Sequence, residues 1–300
     1  MKKISFNNPL PKTVCFLLAF FFYNLIVFKS YSQCSCEPFS YASYVINPTI
    51  SQTADDFDVA GDDWSGTTVL LQYDFVIDVD FTINNTDIAI KEGKKIIVND
   101  GVTLTIQGGS YLNAKSGDDP WQGIQVLSGG AVVSNHCIIS NAVIGLEIFN
   151  DPDPGNFTVN NNSIFCNNTY GVKVNAYSGG LHPGSIEDTR FCAPDPLSGV
   201  AYAGIWIENV YDGGSINIGN GSLFSPTSGY NTFSSYERGI AMFNVDATIT
   251  NNYFEGLDEA IYGIGEDLDV QSFVQIGSSD ESGIYNSFKS NTWSIVLVIY

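Results

Sequence analysis

Along most of the chain, apolar residues alternate with polar ones in runs of only three to five, and each run is closed by Asn or Gly. Val102-Thr-Leu-Thr-Ile106 and Gly123-Ile-Gln-Val126 are typical. Alternation with a period of two sends successive side chains to opposite faces of an extended strand. Asn and Gly accept the positive φ that a sharp bend between strands requires. No window carries the 3.6-residue period of an amphipathic helix, so the pattern predicts an all-β fold of short strands and tight bends.

The strands also recur. A glycine followed by apolar, any and apolar residues appears at Gly123-Ile-Gln-Val126, Gly145-Leu-Glu-Ile148, Gly171-Val-Lys-Val174, Gly204-Ile-Trp-Ile207 and Gly239-Ile-Ala-Met242, with weaker copies at Ala260-Ile-Tyr-Gly263 and Thr292-Trp-Ser-Ile295. Their spacings are 22, 26, 33, 35, 21 and 32 residues, which fits one structural turn of about 21 to 22 residues carrying insertions of variable length. Asn135-His-Cys-Ile-Ile-Ser-Asn141, Asn161-Asn-Ser-Ile-Phe-Cys-Asn167 and Tyr285-Asn-Ser-Phe-Lys-Ser-Asn291 lead into these copies in the same phase. Phe75-Val-Ile-Asp-Val-Asp-Phe-Thr-Ile83 and Lys95-Ile-Ile-Val98 extend the pattern upstream. Short strands repeating in this way cannot bury an apolar face alone, but stacked turns do, which predicts a parallel β-solenoid.

At this level the chain resembles the right-handed parallel β-helix superfamily, the pectate-lyase-like fold shared by polysaccharide lyases, some glycosidases and many non-catalytic surface proteins. The resemblance spans about residues 67–300. Asp100-Gly-Val-Thr-Leu-Thr-Ile-Gln-Gly-Gly109, followed by Trp121-Gln-Gly-Ile-Gln-Val126, is similar to repeat proteins exported by Bacteroidetes, which often carry a C-terminal sorting domain for type IX secretion. The resemblance is specific for fold and weakly specific for function. Residues 33–66 precede the regular pattern and read as an N-terminal cap. The apolar run Trp293–Tyr300 stops without a polar cap, which predicts a truncated chain with further rungs or a sorting domain beyond it.

The N-terminus adds a destination. Lys2, Lys3 and Lys12 precede an apolar run from Val14 to Phe28, and Ser30-Tyr31-Ser32 offers a small-x-small cleavage site, so residues 1–32 read as a secretory signal peptide. The competing reading, a retained anchor, needs roughly 20 apolar residues where about 15 are present. Lipidation at Cys34 is a minor alternative, because Gln33 stands where a lipoprotein signal wants a small residue. No second long apolar span follows, so the exported chain has no expected transmembrane segment.

Composition then narrows the partner. Twelve Lys and Arg stand against 32 Asp and Glu, and removal of residues 1–32 leaves eight bases with all 32 acids, a formal charge of −24. Such a surface repels polyanions, which argues against nucleic acid and, unless Ca²⁺ bridges them, against acidic glycans. A neutral glycan or a protein surface is the expected partner. Asp55, Asp56, Asp58, Asp62 and Asp63 form the one acidic cluster that could bind Ca²⁺, the competing reading being a solvated cap. No other cofactor is expected. Cys166 and Cys192 each follow a Phe at the same point of the repeat, which on adjacent turns brings them within disulfide reach.

Aligning the glycine-type strands places Gln125, Glu147, Lys173, Trp206, Ala241, Tyr262 and Ser294 in one outward column, with neighbours about 4.8 Å apart. Long insertions follow the same strands and would wall a groove. Glu147, Lys173, Trp206 and Tyr262 are therefore the candidate ligand-binding residues, against the reading of a solvated face with a Glu–Lys pair of little worth. The catalytic sets that the resemblance implies are not assembled. Only Arg190 and Arg238 are arginines, no lyase motif surrounds them, and neither His136 nor His182 is flanked by glycines. The expectation is a secreted, non-catalytic, structural, adhesive or glycan-binding protein of the cell surface. The alternative is an extracellular lyase or glycoside hydrolase using Glu147, Lys173 and Arg238.

Overall fold

The structure, a computed structural model, describes residues 44–46, 52–53, 63–65, 68–149, 155–175, 177–178, 184–211, 216–219, 230–265, 274–276 and 286–299. The predicted signal peptide lies outside these residues. Among the described residues every regular element is a β-strand. The strands form three sheets that the chain visits in rotation, pairing in parallel from one turn to the next, with the two-residue strand Tyr177–Ser178 added beside Ala203–Tyr211 off this path. The protein is a parallel β-helix.

The first sheet runs from Tyr44–Ile46 through Thr68–Leu71, Ser163–Cys166, Thr189–Cys192 and Asn231–Ser234 to Ser287–Lys289. The second holds the glycine-type strands, among them Lys95–Val98, Gly123–Val126, Ile144–Ile148, Tyr170–Val174, Ala203–Tyr211, Arg238–Val245, Glu259–Gly265 and Trp293–Ile299. The third includes Phe81–Asn84, Thr103–Gln107, Asn156–Asn160 and Ala247–Ile249. Three strands, Tyr44–Ile46, Gln52–Thr53 and Asp63–Ser65, supply one to each sheet, so the stack extends upstream of residue 67. Register offsets range from 19 residues, Thr68 opposite Asp87, to 42, Arg190 opposite Thr232. The longer turns insert residues between strands and leave the pairing intact.

Inside, like residues stack on like. Phe165, Phe191, Phe233, Phe254 and Phe288 of the first sheet lie nearly flat on one another, with ring centroids 5.2, 4.9, 4.9 and 5.2 Å apart. Ile96, Ile124, Leu146, Val172, Ile205, Ile240 and Ile261 form the matching column of the second sheet and are fully buried. From Gly145 to Gly239 the glycine that marks the repeat is explained by the rings, whereas at Gly123 an added Cβ would meet the Ile144 carbonyl. A Cβ on Gly171 would lie 2.4 Å from the Gly204 carbonyl oxygen and 2.7 Å from Cδ1 of Phe191, and Gly145, Gly204 and Gly239 are blocked in the same way by Phe165, Phe233 and Phe254.

Polar residues are stacked too, at the corners. Between the third and first sheets, Asn231 Nδ2 donates to Asn252 Oδ1 at 2.9 Å, and Asn252 Nδ2 to Asn286 Oδ1 at 3.0 Å. The same amides also donate to the carbonyls of Ile186, Ile218 and Ile249, so the Asn231, Asn252 and Asn286 side chains are paired inside the corner. After the first-sheet strands, Asn141, Asn167, Ser235 and Ser290 hold φ between 55° and 62°, the bend expected of the Asn-rich pattern. Cys137 continues the corner column as a free, buried thiol, its Sγ 3.0 Å from Ser134 Oγ. Burial outweighs the Ser134 and Ser163 hydrogen bonds and pushes this thiol up to about 11.

The last rung differs from the sequence alignment. Tyr262 pairs with Val296, and Ser294 falls opposite Ala260. A shift of two residues keeps every side chain on the same face, so alternation cannot detect it. The register is set by local bonds instead, Leu257 N to Asn291 Oδ1 at 3.0 Å and Trp293 N to the Asp258 carbonyl at 2.7 Å.

Two outcomes follow. Gly171→Ala should lose about 1–3 kcal/mol in urea unfolding, whereas Gly265→Ala, where an added Cβ meets nothing within 4 Å, should move by less than about 0.5 kcal/mol. The folded chain holds the Cys137 proton more tightly than the unfolded chain, whose thiol titrates near 9.0. Its contribution is complete below that pH and is lost as pH rises through about 11, at most about 3 kcal/mol. Urea midpoints measured from pH 8 to 11 should fall, and Cys137→Ala should flatten the fall.

Candidate functional site

The outer face of the second sheet carries the predicted column in register. Gln125 stands opposite Glu147, Glu147 opposite Lys173, Lys173 opposite Trp206, Trp206 opposite Ala241, and Ala241 opposite Tyr262. Parallel pairing, with one constant offset along each pair of strands, puts these residues in line along the solenoid axis. The column divides into a polar half and an aromatic half.

In the polar half the side chains bond along the axis. Lys95 Nζ donates to Gln125 Oε1 at 2.9 Å, and Gln125 Nε2 donates to Glu147 Oε2 at 3.1 Å. Asn175 Nδ2 donates to the other Glu147 oxygen at 3.2 Å. Both carboxylate oxygens are therefore engaged by amides, and Glu147 is 9 % exposed. Among the described residues there is no ion pair between Glu147 and Lys173 within 4.0 Å. Lys173 is half-buried next to Trp206 in the column.

The aromatic half is larger than the alignment suggested. Tyr170, Tyr202 and Trp206 form a triangle with ring centroids 5.5 to 5.7 Å apart. Phe243 continues it, 4.6 Å from Trp206 and 6.0 Å from Tyr262. All five rings are half-buried, with part of each open to solvent. The Trp206 indole N–H donates to the Glu208 carboxylate, which fixes the ring's orientation. Burial, then the neighbouring Tyr202 and the charge of Glu208, raise the Tyr170 phenol above its ordinary value, so it stays a neutral donor.

Arg238 sits within this half. Its Cζ lies 5.1 Å from the Tyr202 ring centroid and 4.6 Å from that of Tyr262. Its Nε donates to Glu259 at 2.5 Å and its Nη1 pairs with Glu237 at 3.0 Å. Burial by itself would lower the guanidinium's pKa. Hydrogen bonds to Tyr202 and Glu259 and the charges of Glu259 and Glu237 carry it above its usual value.

Trp206 and Tyr262 thus share one patch through Phe243, and Glu147 and Lys173 are neighbours. Arg238 is three rungs from Glu147, about 14 Å along the axis, so the catalytic alternative's three residues do not converge. Tyr170, Tyr202 and Phe243 were missed by the alignment. Tyr170 directly precedes its repeat glycine, and Tyr202 and Phe243 stand two before and four after theirs, offsets that could have flagged them. Most of the insertions after Phe149, Asn175 and Tyr211 lie outside the described residues, as do Asp55, Asp56, Asp58 and Asp62 of the acidic cluster; Asp63 is placed on a strand. Among the described residues no group of three or more His, Cys, Asp or Glu side chains could hold a metal ion.

No protein-family model, curated protein or solved structure matches the chain.

Cys166 and Cys192 stand directly opposite each other and both are disulfide-bonded. Each directly precedes one of the two segments that meet here, residues 167–170 and residues 193–202. Asp195 N donates to Asn167 Oδ1 at 3.1 Å, Thr169 Oγ1 to Ser198 Oγ at 2.6 Å, and Tyr202 N to the Thr169 carbonyl at 2.8 Å, so residues 193–202 are tied to the turn leading into Tyr170. Replacing both cysteines by serine should cost about 3 kcal/mol, read as a lower urea midpoint that reductant no longer affects.

Proposed function

We propose that this protein is a secreted, non-catalytic recognition module of the cell surface, a right-handed β-helix of the pectate-lyase-like kind that holds a neutral glycan along the outer face of its second sheet. The observation that carries the reading is the half-buried cluster of Tyr170, Tyr202, Trp206, Phe243 and Tyr262 continuing into a hydrogen-bonding column of Lys173, Glu147 and Gln125. Aromatic faces offer weakly hydrated apolar area to the C–H faces of a sugar ring, while amide, carboxylate and ammonium groups meet its hydroxyls. Rigid rings lose little conformational freedom on binding.

Charge supports a neutral ligand. The chain's formal charge of −20, and the carboxylates of Glu208, Glu237 and Glu259 around the patch, oppose uronates and sulfated polymers. Export rests on the N-terminal sequence, and the resemblance to exported Bacteroidetes repeat proteins agrees with it. The paired amides on Glu147 favour a binding role, since a general acid or base must be free to exchange its proton with substrate.

The test is retention and cleavage on a panel of neutral and acidic polysaccharides with and without Ca²⁺. Retention on a neutral glycan without release of reducing or unsaturated ends is expected, weakened at least about tenfold in Trp206→Ala. Cleavage abolished by Glu147→Gln would replace the binding role by an enzymatic one, and silence across the panel would move the reading to a spacer or a protein-binding adhesin.

A further inference from the structure

An aromatic cluster edged by carboxylates is, by its chemistry, a place for a cation as much as for a sugar. Positive charge is attracted to ring faces, and the attraction grows as the site is withdrawn from water. In this protein the cation is already present. The Arg238 guanidinium lies over both the Tyr202 and the Tyr262 rings, at 5.1 and 4.6 Å, and its fork is anchored by Glu259 at 2.5 Å and Glu237 at 3.0 Å. Its side chain is 16 % exposed, so the charge is sheltered.

The rungs explain how one residue reaches both rings. Arg238 pairs with Ala203, next to Tyr202, on one side and with Glu259 on the other, and Tyr262 stands three residues beyond Glu259 on the same strand. The guanidinium therefore bridges the turns on either side of its own. A planar guanidinium can stack on rings while its edge donates to carboxylates, which an ammonium cannot do from one position.

We infer that Arg238 is the internal cation that sets this site's selectivity, filling the seat between Tyr202 and Tyr262 that a cationic ligand would need and holding both rings in place for an uncharged one. The selectivity part rests on the glycan-binding reading, whereas the seat and the ring order do not. Arg238 is thus a positioning and specificity residue. Its charge faces Glu237 and Glu259 and is spent within the chain.

Chemical rescue tests this. In Arg238→Ala, far-UV circular dichroism should stay that of the parent while the near-UV aromatic bands lose intensity. Methylguanidinium should restore the bands saturably, and methylurea, of similar shape but uncharged, should not. An unchanged near-UV spectrum, or equal restoration by both compounds, overturns the inference whatever the protein binds. Should Arg238→Ala fail to fold, Arg238→Lys keeps the charge without the fork, and a full parental near-UV spectrum from it overturns the role of the fork. On a glucosamine hexamer, which is cationic, Arg238→Ala should gain about tenfold in affinity over the parent, and equal binding by the two sinks the selectivity claim. A neutral cello-oligosaccharide run alongside reports on the glycan reading separately, since its failure with the parent protein leaves the rescue result standing.

Discussion

Parallel stacking in register is the constraint on which everything else depends. When a turn of chain lies directly on the previous one, each side chain must be compatible with the same position one rung away. The clearest instance is the contact between the phenylalanine stack and the repeat glycines. The rings of Phe165, Phe191, Phe233 and Phe254 reach across the interior because no Cβ stands on Gly145, Gly171, Gly204 and Gly239. Flat rings at about 5 Å, matched to a rung spacing of about 4.8 Å, fill the space that the repeat glycines leave beside the buried aliphatic column of the second sheet.

The same rule turns polar residues from a liability into a specification. A buried amide leaves donors and acceptors unpaired unless each finds a partner, and a column of amides solves this by bonding rung to rung. Asn231, Asn252 and Asn286 do so at one corner and Asn113 with Asn141 at another. These columns hold the turns in register where the loops between strands vary in length. Insertions can then be added between strands without disturbing the core.

On the outer face that permissiveness becomes the candidate site. Rungs whose outward positions are large and aromatic follow rungs whose outward positions are polar, so one strip of sheet carries a hydrogen-bonding half and a stacking half. Rigid strands supply the spacing, and local bonds supply the orientation, as Glu208 does for Trp206 and Arg238 for Tyr202 and Tyr262. The disulfide-bonded Cys166 and Cys192 each precede one of the two segments, residues 167–170 and 193–202, that bring Tyr170 and Tyr202 together.

The amino-acid sequence by itself determined the strand period, the parallel β-helix and the order of the outward column from Gln125 to Tyr262, because alternation and repeat spacing are local properties of the chain. It did not determine the last rung, since a two-residue slip leaves the inside and outside faces unchanged and only the bonds of Leu257 and Trp293 decide it. Nor did it reveal the aromatic cluster as a unit. Tyr170 and Arg238 directly precede their repeat glycines, Tyr202 stands two before its own and Phe243 four after, and all four are far apart along the chain, so their meeting depends on where bends aim the side chains once the turns are stacked. That aim is a tertiary property, and it is what separates a solvated strip of sheet from a site.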